Sequence, residues 1–181
     1  MDGTGKFLNT TISNNDGNYG AGLRILGSTT VVDIVNSTIV ENRAQSGNSG
    51  IHNPNGAVIT LHNTIVAGNT KNGVASDIAG TFHSSSSHNF IGYDSTTGNG
   101  IDDNDSNNNI VGESSAKDPM LGSLVDNGGP TKTHALLEGS EAIDAGDMTQ
   151  ATNVGLTRDQ RGNNRHFYGP NATADEVDIG A

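Results

Sequence analysis

Cysteine is absent from this 181-residue chain. Its absence excludes a disulfide framework and a thiolate metal site, and it leaves the redox compartment unread. Basic charge is scarce, with 9 Lys and Arg against 20 Asp and Glu and a formal net charge of −11. That balance repels phosphate backbones and anionic lipid, so neither nucleic acid nor a membrane surface is an expected partner. No apolar run approaches the roughly 18 residues needed to span a bilayer. The opening MDGTGKFLNTT also lacks the charged and apolar regions of a signal peptide. Export is therefore expected to depend on a signal upstream of Met1, with further coils of the same kind preceding it.

Apolar residues are few as well, at 31%, while Gly numbers 25. Such a composition suits a disordered chain, except that the apolar residues fall in short, regularly placed β-branched clusters. Three related segments carry the pattern: LNTTISNN from Leu8, VNSTIVEN from Val35 and LHNTIVAGN from Leu61. Aligning their Thr-Ile pairs stacks Thr11, Thr38 and Thr64, and the two steps are equal to within a single position. A second element recurs between them, GAGLRI around Leu23 and NSGIHN around Ile51, at nearly the same spacing.

Each repeat therefore holds at least two short strands separated by Gly and Asn corners. A coil of this size cannot bury its apolar face alone and must stack on its neighbours. The expected fold is all-β, a parallel solenoid. Helix is excluded because Gly, Asn, Thr and Ser crowd every turn. Strand alternation predicts Leu8 with Ile12, Val35 with Ile39 and Leu61 with Ile65 as inward pairs, and Ile12, Ile39 and Ile65 as one column. The residues between the pairs, Thr10, Ser37 and Asn63, are polar and are expected to form bonded ladders from coil to coil. The corners at Asn14 to Asp16, Asn42 and Gly68-Asn69 fit residues that tolerate left-handed backbone.

Residues 1–92 read as coils, and 93–117 as a polar loop with one irregular coil. Apolar signal returns in DPMLGSLVDNGGPTKTHALLEGSEAIDAGD, whose Asp126 to Pro130 is a dense turn signal. A strand is expected over His134 to Leu137. The succession NTIVAGN, SDIAG, SHNFIG, this long segment, RDQRG and DIGA resembles the choice-of-anchor Q domain of bacterial surface proteins over about two thirds of the chain. The resemblance implies the closing part of a pectate-lyase-like right-handed parallel β-helix with an irregular C-terminal cap, an extracellular or cell-surface location, and no catalytic residues to carry over. Residues 118–181 are then expected to cover the last coil, using Met120, Leu121, Leu124, Val125, Ala135, Leu136, Leu137, Ala142 and Ile143.

Candidate chemistry is sparse. Arg24, Asp33, Glu41 and Arg43 lie on strands without a clustered acidic partner, and Asp102 and Asp103 are adjacent within a loop, so no hydrolase pair stands out. His52 and His62 read as strand histidines. Asp102, Asn104, Ser106 and Glu113 have the oxygen donors and loose spacing of a calcium loop, but Asn107 stands where such a loop needs Gly. A solvated loop with no cofactor is the heavier reading. Arg158, Arg161, Arg165 and His166 form the densest basic patch, read as clamps on carbonyls and carboxylates, or else as a dock for an anionic ligand. Sequons at Asn9, Asn36, Asn104 and Asn171 follow from composition. The single Thr rank is too little for an ice-binding face.

The function expected from the sequence is a structural or adhesive module. Its expected partners are copies of itself stacked end to end, or carbohydrate at a cell surface. The alternative is a polysaccharide lyase or glycoside hydrolase whose catalytic coils lie mostly outside this chain.

Overall fold

A computed structural model of the chain describes residues 3–94, 99–103, 106–165 and 176–181. The first coil contains β1 (Thr4–Leu8), β2 (Thr11–Ser13), β3 (Asp16–Gly17) and β4 (Leu23–Arg24). The second repeats it with β5 (Val31–Val35), β6 (Thr38–Val40), β7 (Arg43–Ala44) and β8 (Ile51–His52). The third has β9 (Val58–His62), β10 (Ile65–Ala67), β11 (Thr70–Lys71), β12 (Val74–Ala75) and β13 (Ile78–Ala79). Like strands stack in parallel as β1-β5-β9, β3-β7-β11 and β4-β8-β13. The chain is a parallel β-solenoid, as its repeat predicts.

The stack does not end with the third coil. Two shortened coils add β14 (Phe90–Ile91) and β15 (Ile110–Val111), so one sheet has five strands in the order β15-β14-β10-β6-β2. Their corners repeat the same backbone device. Asn9, Asn36, Asn63, His88 and Asn108 all take left-handed φ between 47° and 57°. Asn tolerates this geometry because its short side chain bonds locally, and His is among the few other side chains enriched there.

That corner decides which side chains face inward. A left-handed residue interrupts the two-residue alternation, so residues four apart across it do not share a face. The inner columns are Phe7, Ile34 and Leu61 on the first sheet, and Ile12, Ile39, Val66, Ile91 and Val111 on the second. Leu8 and Val35, expected inside, pair with His62 in the adjacent column and lie outside the central cluster.

The third coil is also shifted from its expected register. Ile65 pairs with Thr38, and Val66 pairs with Ile39, so the step from second coil to third equals the step from first to second. Thr64, aligned by sequence with Thr38, instead continues the column of Thr10 and Ser37. The expected single column of Ile12, Ile39 and Ile65 is therefore corrected: Val66 is its third member, and Ile65 turns outward.

The expected polar ladder is present in two parts, with Thr64 in the place assigned to Asn63 and the Ser37 and Thr64 hydroxyls turned to backbone carbonyls instead of to each other. Thr10 N–H donates to Ser37 Oγ (3.3 Å), Thr64 N–H to Asn89 Oδ1 (3.0 Å) and Asn89 N–H to Asn109 Oδ1 (3.1 Å). A second ladder runs at the next corner through Asn15, Asn42 and Asn69, each 27 residues from the last. These bonds satisfy polar atoms that would otherwise cost about 1–3 kcal/mol each when buried.

Residues 118–165 and 176–181 are irregular, as expected, but their contacts are not confined to the last coil. They run as a strap along the outer face of the five-stranded sheet. Ala142 and Ile179, with Leu121, Leu136 and Ala145, pack on Val40, Ile65, Ala67 and Phe90. The strap is bonded to the first coil through Gln160 to Thr11 (2.7 Å) and His134 to Ser13 (2.8 Å). Ala181 N–H reaches Thr38 Oγ1 in the second coil, and Asp147 exchanges two bonds with Asn63 in the third.

The outward column explains the route, since Thr11, Thr38, Ile65, Phe90 and Ile110 become apolar toward the later coils. Of the residues expected to seal the end, Met120, Val125, Leu137 and Ile143 are exposed. The expected strand over His134 to Leu137 is reduced to isolated bridges, Leu121 with Leu136 and Val125 with Thr133. The strap also contains β16 (Gly146–Asp147), the short helix α1 (Met148–Asn153) and β17 (Glu176–Val177). Asp147 caps α1 by accepting from Thr149 N–H at 2.7 Å.

Candidate functional site

Arg158, Arg161 and Arg165 lie together where the strap meets the first coil. Arg158 Nη1 donates to the Gly162 carbonyl (2.6 Å), and Arg161 binds Asp159 Oδ2 through Nε (2.8 Å) and Nη2 (2.6 Å). Arg165 reaches furthest, donating to the carbonyls of Arg158 and Gly180 (3.2 Å each) and to Asn9 Oδ1. Burial pulls its guanidinium down to about 10, against Asp159 and Asp178, which favour the charged form. Each of the three guanidinium groups thus donates to a carbonyl, amide or carboxylate oxygen, and Arg165 alone reaches from the strap to a coil. His166 lies outside the described residues.

Because Arg165 ties the strap to Asn9, Arg165→Ala is expected to cost about 2 kcal/mol, the scale of a lost charge-assisted network. A chemical denaturation midpoint with unchanged slope checks this, and amide exchange should accelerate first at residues 176–181.

The proposed calcium loop is only partly visible, since Asn104 lies outside the described residues. Glu113 Oε1 accepts from Asp103 N–H (3.0 Å), and Asp103 Oδ1 accepts from Val111 N–H (2.7 Å) and Lys117 Nζ (3.2 Å). Asp102 and Ser106 flank this knot on the chain. Among the described residues no group of three or more His, Asp or Glu is placed to hold a metal ion. With Glu113 engaged on backbone and Asp103 on Lys117, a melting temperature unchanged by chelator is the expected outcome. A shift of several degrees on adding calcium would restore the metal reading.

The candidate enzyme residues meet only in neighbouring pairs among the described residues, Arg24 with His52 and Asp33 with His62. Asp33 pairs with Lys6 at 3.5 Å, and Arg24 lies over the Tyr19 ring at 5.2 Å. His52, beside Arg24 in register, has a buried Nδ1 without a partner and is held below its ordinary value by burial and then by Arg24 and Lys71. His62 is lowered mainly by burial and shares a hydrogen bond with Ser87 Oγ at 2.9 Å.

One concave feature of the flank has no counterpart in the sequence pattern. A shallow cleft of about 450 Å³ opens between the last two corners and the strap, lined by His88, Asn108, Asn109, Ile110, Asp144, Ala145 and Gly146. His88 Nε2 is 3.1 Å from Asn108 Nδ2, while its Nδ1 is buried with no partner. Asp144 has φ of 55°, and its N–H donates to Asp178 Oδ1 (3.0 Å). Burial, outweighing that bond, raises the Asp178 carboxyl above its usual range. The cleft joins residues 88, 108 and 144, which no sequence spacing connects. The left-handed His88, continuing the Asn corners, is the signal that would have marked it.

The most deeply buried acid is Asp77, 1% exposed. Its Oδ1 accepts both the N–H and the side-chain amide of Asn69, each at 2.8 Å. Burial pushes its carboxyl up to about 7, although the bonds from Asn69 and from the Tyr93 backbone oppose the shift. It closes the second ladder.

Comparison of the chain with protein-family models, with curated proteins and with solved structures found no match.

Proposed function

We propose that this chain is a structural or adhesive module of a surface or secreted protein, a stiff solenoid segment that displays its flank to carbohydrate. The observation that carries this reading is where the polar side chains go. Asn, Ser and Thr side chains bond coil to coil, and Arg165 bonds strap to coil. A catalytic groove needs such groups free and converging on a substrate. The resemblance to the choice-of-anchor Q domain supports the surface location. The cleft at His88 and Asp144 supports sugar as the ligand class, since it offers polar groups beside one apolar side chain, Ile110.

The test is a panel of neutral and acidic polysaccharides assayed for binding and for turnover with the full chain. Retention of at least one polysaccharide without new reducing ends or unsaturated products is the expected result, with His88→Ala weakening retention severalfold. Turnover that survives repurification would overturn the module reading in favour of a lyase or hydrolase.

A further inference from the structure

One flank of the solenoid carries cations that bond nothing in the protein. On β4 and β8, Leu23 and Ile51 face the core, so alternation turns their neighbours Arg24 and His52 outward, in register with each other. Arg24 lies over the Tyr19 ring at 5.2 Å. Lys71, in the third coil, is close enough to act on the His52 imidazole. Arg24 and Lys71 are exposed and make no hydrogen bond or ion pair among the described residues. Arg158, Arg161 and Arg165 differ, since each donates to a protein oxygen.

The charges on this flank are one-sided. His52 is held below its ordinary value first by burial, and the two charges that add to this, Arg24 and Lys71, are both positive. His62 on the neighbouring sheet instead has Asp33 and Asp147 near it. The one carboxylate on β3, β7 and β11 is Asp16, which is in register with Arg43. In a chain of net charge −11, like charges gathered without a counter-ion repel one another, and an anion bound there relieves the repulsion.

Tyr19 narrows the choice of anion. Its ring is 55% exposed, an apolar surface beside a guanidinium. A sugar ring bearing a carboxylate fits both, with its C–H face on the aromatic ring and its carboxylate on the planar fork of Arg24. The basic groups also sit on successive coils, about 4.8 Å apart per rung, so a polymer charged at each unit engages more than one of them. An extended acidic peptide turns only every second side chain to one face, about 6.6 Å apart, which is out of step with the rungs.

We propose that the flank formed by Tyr19, Arg24, His52 and Lys71 binds a linear carboxylated polysaccharide, a polymer of uronic acid, laid along the solenoid axis. This face is separate from the cleft at His88 and Asp144, which lies against the strap. It goes beyond the module reading, which rests on that cleft and leaves the charge of the ligand open.

The test is the affinity of the full chain for alginate, measured at low salt with chelator present. Arg24→Ser and Lys71→Ser are each expected to weaken binding at least about fivefold, the scale of a lost charge-assisted bond. Tyr19→Ala should weaken it about threefold. Lys132→Ser removes the same charge from the exposed surface of the strap and should stay within about twofold of the parent. Because Arg24 and Lys71 bond nothing in the chain, their variants should keep the parent's denaturation midpoint, which separates lost binding from lost fold. The propylene glycol ester of alginate keeps the sugar without the charge, and poly-L-glutamate keeps the charge without the sugar. Both should bind at least about tenfold more weakly than alginate. No affinity for alginate, equal weakening by Lys132→Ser, or ester binding as tight as alginate would overturn the proposal. Poly-L-glutamate binding as tight as alginate would overturn the choice of a polysaccharide. Alginate binding that depends on His88 and not on Arg24 would overturn this site and leave the cleft standing. Turnover of alginate would remove the module reading and leave the ranking of the variants intact.

Discussion

Gly50→Ala is expected to cost about 3 kcal/mol, at the upper end of ordinary overpacking. Gly50 is buried, and its backbone needs no left-handed conformation, so the effect is one of space alone. A Cβ there would overlap the Asp77 carbonyl oxygen and lie 2.9 Å from Asn69 Nδ2. Neither neighbour can yield cheaply, since the first is backbone of the coil below and the second is the ladder amide that bonds Asp77. The expected fall in melting temperature is about 6–12 °C for a chain of this size. Gly22 occupies the equivalent place one coil earlier, where a Cβ would meet the Gly50 carbonyl. Its replacement is expected to cost less, because the first coil lies at the open end and can shift. Gly3→Ala, with nothing within 4 Å, is the neutral control. Equal melting temperatures for Gly50→Ala and Gly3→Ala would mean that the coils are not packed at this spacing.

The second large effect is the pH dependence carried by Asp77. Its folded carboxyl titrates at about 7 against an ordinary 3.8. Below 3.8 both folded and unfolded forms are protonated, and the group imposes no penalty. Between 3.8 and 7 the unfolded chain releases the proton that the folded chain retains, so stability falls as pH rises through this window. Above 7 the loss is complete, at about 4 kcal/mol given about 1.4 kcal/mol per pH unit.

Other groups overlay this slope. Asp178, also raised by burial, acts in the same direction. Asp147, where the bonds at the N-terminus of α1 outweigh burial and hold the carboxyl down, acts in the opposite one. His52 and His62, both lowered by burial, lose stability as pH falls below 6.5. The clean measurement is therefore the difference between the parent and Asp77→Asn. Denaturation at pH 8, 6 and 4 should show that difference move toward the parent by up to about 4 kcal/mol on acidification. Parallel curves would mean that Asp77 is not buried against Asn69 as described.

These two sites show how far the sequence could be read. The corners at Asn14 to Asp16, Asn42 and Gly68-Asn69 are visible in the sequence, as turns and not as a ladder, and so is the stacking of Leu23 on Ile51. Asp77 is not, because it follows Asn69 within the same coil and is brought beneath it by the β11–β12 turn. The Thr-Ile alignment misplaced the third coil by one position for a related reason. Thr and Ile occur at neighbouring positions on both faces, and the true register is marked by the left-handed Asn9, Asn36 and Asn63, which keep the same interval as Asn15, Asn42 and Asn69. The cleft required contacts between His88, Asn108 and Asp144 that no local pattern encodes.

The sequence alone determined the β class, the length of a coil and the polar ladders, because each is a local preference repeated at a fixed interval. Tertiary structure decided the inward column, the two additional short coils and the path of residues 118–165 and 176–181. These depend on the left-handed corner at Asn9, Asn36, Asn63, His88 and Asn108 and on contacts between remote parts of the chain, such as Ala181 on Thr38. A strap is directed by the outer face it covers, and that face exists only once the coils have stacked.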